Sequence, residues 1–439
     1  MKVNKKLLFD GSYLMGTSFV TKILDLIRGT IFLKIFSAAD FGLIDIINQI
    51  INLSKYADIG LLNNVRREYN VLALDNKQKA NKNKDTSFGM DIIITICISI
   101  FLISVALLFD YSVKIRWGIL FGSIAFLSLK GLKIIQLDLT VNKQFEQLGK
   151  LKLVNEIVLN TLILSSVYFI GIYAPIILKP IILMVLFIFW WNKFQIPYTL
   201  SFSKKEFKKQ IKYGVFFSFI SLLFGGWIFF ERFLITHYFT LNQLGIYAAC
   251  IFIIKIGKSL LDELFRPISI NVKESIFKNK KIIYHYVLYP SLVFYLVLFI
   301  ILPVFNYFIG ILEFNFLSNF QGISEIFSIL SWLIPIYAVG AISDYILFLK
   351  GIDRFKPFYM LYVLKFLALV LLCLYKSPFS FEELMLYFLV VETLFFFGKQ
   401  YLLYTSFFSI KRTILVVGPI LIIHFLGFYY FQSLDKLIG

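Results

Sequence analysis

The sequence predicts an all-α, polytopic membrane protein assembled from two related six-helix halves. Three observations predict it: the composition is too apolar for water, the apolar runs recur at membrane-spanning length, and a charged half-helix with its following turn is repeated about two hundred residues later. Of 439 residues, 59% are hydrophobic and only 16% charged, with a mean hydropathy of +0.81. Soluble domains hold roughly 45–50% apolar and about 25% charged residues. The longest polar stretch, RREYNVLALDNKQKANKNKDTSFG, has the length of a single helical hairpin.

A helix needs about 20 mainly apolar residues to cross hydrocarbon. The runs 11–36, 41–65, 88–109, 117–142, 150–172, 174–192, 213–237, 244–269, 286–309, 322–349, 356–375, 383–407 and 413–431 meet that requirement, giving about 13 spans. The first two are joined by the small polar turn FSAADFG. The fifth and sixth part at GIYAP, where Gly171 and Pro175 mark a tight turn. The halves read as 1–192 and 213–407, joined by a linker at 193–212, with an extra helix in 408–439.

Alternate loops carry the lysines and arginines. One side holds Lys2, Lys5 and Lys6, then Arg66 to Lys84, then Lys143 to Lys152, SKKEFKKQIK, VKESIFKNKK, Lys350 to Lys356, and Lys411 with Arg412. The opposite loops carry only Lys114, Arg116 and Lys376. The positive-inside rule puts the N-terminus in the cytoplasm. It also accounts for the net charge of +18, which in a soluble chain would point to nucleic acid. The basic N-terminus reads as a cytoplasmic end, since no small-residue cleavage site follows it. Cys97, Cys250 and Cys373 lie far apart in apolar runs with no metal or disulfide spacing. No GxxxxGK[ST] occurs, so ATP hydrolysis within the chain is not expected.

The internal repeat sets ERFLITHYFTLNQLGIYAA beside RGTIFLKIFSAADFGLIDI. Each has a cation, an apolar half-helix, a polar turn and a glycine, Gly42 or Gly245. Arg28 precedes its glycine by 14 residues and Arg232 by 13. TVNKQFEQLGKLKLVNEIV and LKGIDRFKPFYMLYVLKFL form a second echo. Six spans per copy makes the repeats parallel, an arrangement that places a transport site between halves.

These same stretches carry a family likeness. ADFG followed by YADIGLLNNVRREY, ERFLI with LGIYA, and LKGIDRFKPFY, in that order and spacing, resemble the Wzx-type polysaccharide flippases. These belong to the multidrug/oligosaccharidyl-lipid/polysaccharide exporter superfamily. The resemblance spans essentially the whole chain and is weakest in the last thirty residues. It implies two six-helix lobes in a V around a central cavity, as in the MATE-like fold, working by alternating access. It also implies an undecaprenyl-diphosphate-linked oligosaccharide as cargo, moved across the bacterial cytoplasmic membrane, and a polysaccharide polymerase or ligase as partner. The functional unit is expected to be a monomer that uses no cofactor. The thirteenth span departs from the common twelve-span form.

Ionisable residues at membrane depth face a bundle interior or water. Asp25 with Arg28 and Lys55 with Asp58 share a helix face and can neutralise themselves. Lys130 with Lys133 and Lys255 with Lys258 cannot. They require an anion, a carboxylate from another helix, or water, unless they snorkel to the cytoplasmic surface. Glu231 and Arg232 point about 100° apart, and Arg232 is favoured for the cavity because the repeat offers Arg28 at the matching place. Arg28, Arg232, Lys130, Lys133, Lys255 and Lys258 are thus the candidate cations for a diphosphate head. Arginine can grip phosphate oxygens bidentately. Asp25, Asp45, Asp58 and Asp344 are candidates for coupling to protons or sodium, with static charge pairing as the alternative. Tyr247, Trp227, Tyr345, Asn48, Gln49 and Asn160 are candidate sugar-facing residues.

Three other readings remain. A drug or cation antiporter of the same fold would want a carboxylate-dominated cavity. A membrane polymerase or glycosyltransferase would want a substantial outer loop, which the sequence lacks. A peptidoglycan-precursor flippase shares the expected architecture.

Overall fold

The computed structural model describes residues 5–56, 76–198, 225–256, 289–337, 356–375 and 380–405, with isolated positions between and beyond them. The expected thirteenth span, Asp58, Asp344, Tyr345 and most of the linker lie outside the described residues, as does the side chain of Lys55. All regular structure among the described residues is helical. The chain divides into two compact units, 1–234 and 235–439.

In the first unit, α1 (Lys5–Ile35) and α2 (Ala38–Tyr56) are followed by α3 (Lys77–Leu108), α4 (Val113–Val141) and α5 (Phe145–Ile170). Asn76 caps α3 by accepting from Lys79 N at 2.9 Å. Gly171, at φ +55°, ends α5 as the GIYAP break predicts. A π-helical turn, Ala174–Leu178, then leads into α6 (Lys179–Phe194). Helix α7 (225–238) crosses the boundary between the units.

Helix α4 is the centre of this unit. Its most apolar stretch is 67% buried, against 22% for α3 and α5, which turn large surfaces to lipid. It packs against α2, α3 and α6, while α1 packs on α5. Small residues allow this: a Cβ on Gly118 would strike Ile47 of α2, and one on Gly131 would overlap the Phe187 ring of α6. Close backbone approach of this kind holds helices together in lipid, where hydrophobic exclusion contributes little.

The second unit contains α8 (Leu241–Ile256), α9 (Tyr289–Asn315), α10 (Ile323–Leu330), α11 (Lys356–Tyr375) and α12 (Phe381–Thr405). Glu313 near the end of α9 accepts from Gly322 N at 2.6 Å and Ser324 N at 3.1 Å. It thereby satisfies backbone donors at the start of α10. Helix α12 opens with a reciprocal box: Ser380 N donates to Glu383 and Glu383 N to the Ser380 hydroxyl, both at 3.2 Å.

The repeat has a local structural basis. Helices α1 and α2 are separated by residues 36–37, and α7 and α8 by residues 239–240. Each second helix starts with a hydroxyl cap. Asp40 N donates to Ser37 Oγ at 3.2 Å, and Gln243 N donates to Thr240 Oγ1 at 3.4 Å. The caps, like Gly42 and Gly245, are 203 residues apart. That register aligns Arg28 with Glu231, not with Arg232. The equivalence of the two arginines expected from sequence is therefore off by one residue, and one residue turns a side chain about 100° around a helix.

Candidate functional site

Among the described residues, the interface of α3 and α4 in the first unit carries two matched charge pairs. Asp91 of α3 meets Lys130 of α4, with Nζ to Oδ1 at 3.0 Å, and these side chains are 0% and 1% exposed. One layer along the same two helices, Lys84 bonds to Asp138, which also accepts from Asn142 Nδ2 at 3.0 Å. Lys84 further lies over the rings of Tyr69 and Phe88. In the second unit Lys365 of α11 pairs with Glu392 of α12, again buried.

A second polar cluster joins α1, α2, α5, α6 and α7. Arg28 Nη2 bonds to Asp25 at 2.5 Å, while its Nη1 is buried with no hydrogen-bond partner among the described residues. Asn160 donates to the Glu156 carbonyl at 2.8 Å and to its carboxylate at 3.2 Å. Glu156 in turn feels the charges of Asp25, Arg28 and Lys179. Lys179, at the start of α6, donates to Asn48 at 2.7 Å. One face of α2 thus presents Asp45, Asn48 and Gln49. Gln49 donates to Asp45 at 3.2 Å. Arg232 grips the same carboxylate through Nε at 2.5 Å and Nη2 at 3.4 Å, and also donates to the Ile228 carbonyl at 3.0 Å. Glu231 lies 3.7 Å from Nη1.

Acids therefore balance the charge at three of the six candidate cations. Lys130, Arg28 and Arg232 each have a carboxylate partner. For Lys130 the carboxylate from another helix is the alternative that holds. The physical reason is the cost of burying a lone charge, which a neighbouring acid removes most directly. Lys133 is half-buried on α4 and Lys255 is exposed on α8, and both have partners of their own. Lys258 places its ammonium 4.9 Å from the centre of the Tyr337 ring. Asp25 and Asp45 stand as the partners of Arg28 and Arg232. Trp227 and Tyr247 are buried in packing, Tyr247 edge-on to Phe388.

Sequence reasoning passed over Asp91, Lys179 and the inward role of Lys84. A signal for the first was present. Lys84 and Asp91 are seven residues apart, and Lys130 and Asp138 eight. Two antiparallel helices with that complementary spacing bring both pairs into register.

The chain is similar to "Lipid II flippase MurJ, inward closed conformation" over 97% of its own length and 99% of that protein, at 16% identity and a TM-score of 0.67. It is similar to a "multidrug resistance MATE family transporter of the MOP superfamily", inward-facing, over 89% and 96%, at 14% identity and a TM-score of 0.63. A third structure, "MATE in the bent conformation", gives a TM-score of 0.52 at 14% identity over 91% and 94%. No protein-family model matches the chain, and no curated protein matches it by sequence. The protein is a multi-pass α-helical membrane protein with a MATE-like fold.

Proposed function

We propose that the protein is a flippase. It carries an undecaprenyl-diphosphate-linked oligosaccharide from the inner to the outer leaflet of a bacterial cytoplasmic membrane by alternating access, with its N-terminus in the cytoplasm. The observation that carries this reading is Arg28. One arm of its guanidinium is held by Asp25, and the other is buried with nothing to bind among the described residues. An arginine so placed is half-engaged and suits a phosphate oxygen. The full-length likeness in fold to a lipid flippase adds support.

The paired charges suggest how such a carrier works. Unloaded, Arg28 and Arg232 are neutralised by Asp25 and Asp45, so no bare charge faces low dielectric. A diphosphate takes the place of a carboxylate on the arginine. The released aspartate then binds a proton or a sodium ion, which couples the ion to the cargo. Lys133, Lys255 and Lys258 serve the anionic head nearer the basic surface. A polymerase or ligase receives the unit on the far side.

A second reading, a cation or drug antiporter, also has a specific observation behind it. The cluster around Asp25 and Asp45 holds four acids (Asp25, Asp45, Glu156, Glu231) and three bases (Arg28, Lys179, Arg232), the balance a cationic cargo prefers.

Deletion followed by mass spectrometry of undecaprenyl-linked intermediates separates the two. The flippase reading expects complete oligosaccharide units to accumulate on the inner leaflet. Arg28→Gln is expected to reproduce that accumulation with normal amounts of folded protein, because the glutamine amide keeps a hydrogen-bond donor for Asp25. Normal surface glycan combined with drug sensitivity would establish the antiporter instead.

A further inference from the structure

A groove of about 380 Å³ opens between α3, α4 and α6, apart from the polar cluster. Its walls are Ile96 of α3, Leu127 and Ile134 of α4, and Phe187 and Trp191 of α6, with Tyr198 at one end. Gly131 forms the floor where Phe187 leans across it. Lys130 contributes only its aliphatic stem, because its ammonium is turned to Asp91. The walls are therefore almost wholly apolar despite the ion pair behind them.

The mouth faces the bilayer. Ile93 and Ile96 are each 43% exposed on a helix long and apolar enough to span, so hydrocarbon is what meets them. The groove also has a polar end. The Lys84–Asp138 pair sets the start of α3 beside the end of α4. Lys82, exposed, lies eleven residues before Ile93. Eleven residues are three turns, so both occupy one face of α3 about 16 Å apart. Trp191 and Tyr198, with ring centres 5.5 Å apart, close the groove as α6 ends. Paired aromatics of this kind mark the membrane interface. An apolar slot leading to an aromatic girdle and an exposed lysine fits a lipid whose chain lies in the slot and whose negative headgroup reaches the lysine.

We propose that this groove binds a hydrocarbon chain of an anionic bilayer lipid from the leaflet at the basic face, with Lys82 at the headgroup. The proposal is independent of the transported cargo.

The test uses full-length protein in vesicles, with Trp117, Trp190, Trp227 and Trp332 replaced by Phe so that Trp191 alone reports. Phosphatidylglycerol and phosphatidylcholine with brominated acyl chains are titrated as quenchers. Quenching is expected to reach half its limit at about fivefold less brominated phosphatidylglycerol, the weight of one basic side chain at the membrane surface. Lys82→Ala should remove the preference. Ile96→Phe should narrow the groove and lower the excess quenching, while Ile100→Phe, on the same lipid face outside the slot, should leave it intact. Equal quenching by both lipids would overturn the anionic headgroup. Quenching unchanged by Ile96→Phe would overturn occupancy of the groove. Native mass spectrometry of otherwise wild-type protein and Ile96→Phe, counting retained phosphatidylglycerol, gives the same decision if the tryptophan-reduced chain does not fold.

Discussion

Cutting the Lys130–Asp91 pair tests whether that lysine is a structural charge or a cargo ligand. The two side chains are essentially unexposed, and Nζ lies 3.0 Å from Oδ1. At that separation and an effective dielectric of about 20, their attraction is about 5.5 kcal/mol. Desolvation opposes this, so the pair as a whole contributes little beyond an apolar substitute. Removing one partner is different, because it strands a buried charge at a cost of about 3–5 kcal/mol. Lys130→Met and Asp91→Leu should each destabilise by that amount. The double variant should recover to within about 1 kcal/mol of wild type, a coupling of several kcal/mol. Reversible unfolding in mixed micelles by SDS titration reads the stabilities, and flipping by reconstituted protein reads the function. Additive effects, or single variants costing under about 1 kcal/mol, would refute the assignment of a buried, mutually dependent pair. A double variant that is stable yet inactive would return Lys130 to the cargo ligands.

Other consequences follow from single contacts. Gly131→Ala should cost about 1–3 kcal/mol, since its methyl overlaps the Phe187 ring, and Phe187→Ala in the same chain should relieve part of the loss in the same unfolding assay. Glu313→Ala removes the acceptor for two backbone donors at the start of α10 and should cost about 1–2 kcal/mol, with Glu313→Gln losing less. For Arg232, Asp45→Asn and Arg232→Gln should each lower both stability and transport. Exchanging the two as Asp45→Arg with Arg232→Asp should restore stability alone, because the pair is rebuilt with the cation displaced onto α2. Transport by the exchanged protein would show that the position of the arginine is immaterial.

The amino-acid sequence by itself located most of the described helices, although α3 starts at Lys77 rather than 88 and α9 runs on to Asn315 rather than 309. Such locations depend on properties summed over about 20 neighbouring residues. The run 117–142 becomes Val113–Val141, and 383–407 becomes Phe381–Thr405. The break at Gly171 and the turn that recurs 203 residues on are local in the same way, since caps and left-handed glycines act within one turn of helix. Only the tertiary structure decided which charge meets which. Lys130 finds Asp91 39 residues away, and Arg232 finds Asp45 across 187, because α4 packs on α3 and α7 lies by α2. A one-residue change in register, invisible in loosely matched apolar repeats, set Arg28 and Arg232 on different faces. Charge balance inside a bilayer is a property of the packed bundle, so it cannot be counted helix by helix.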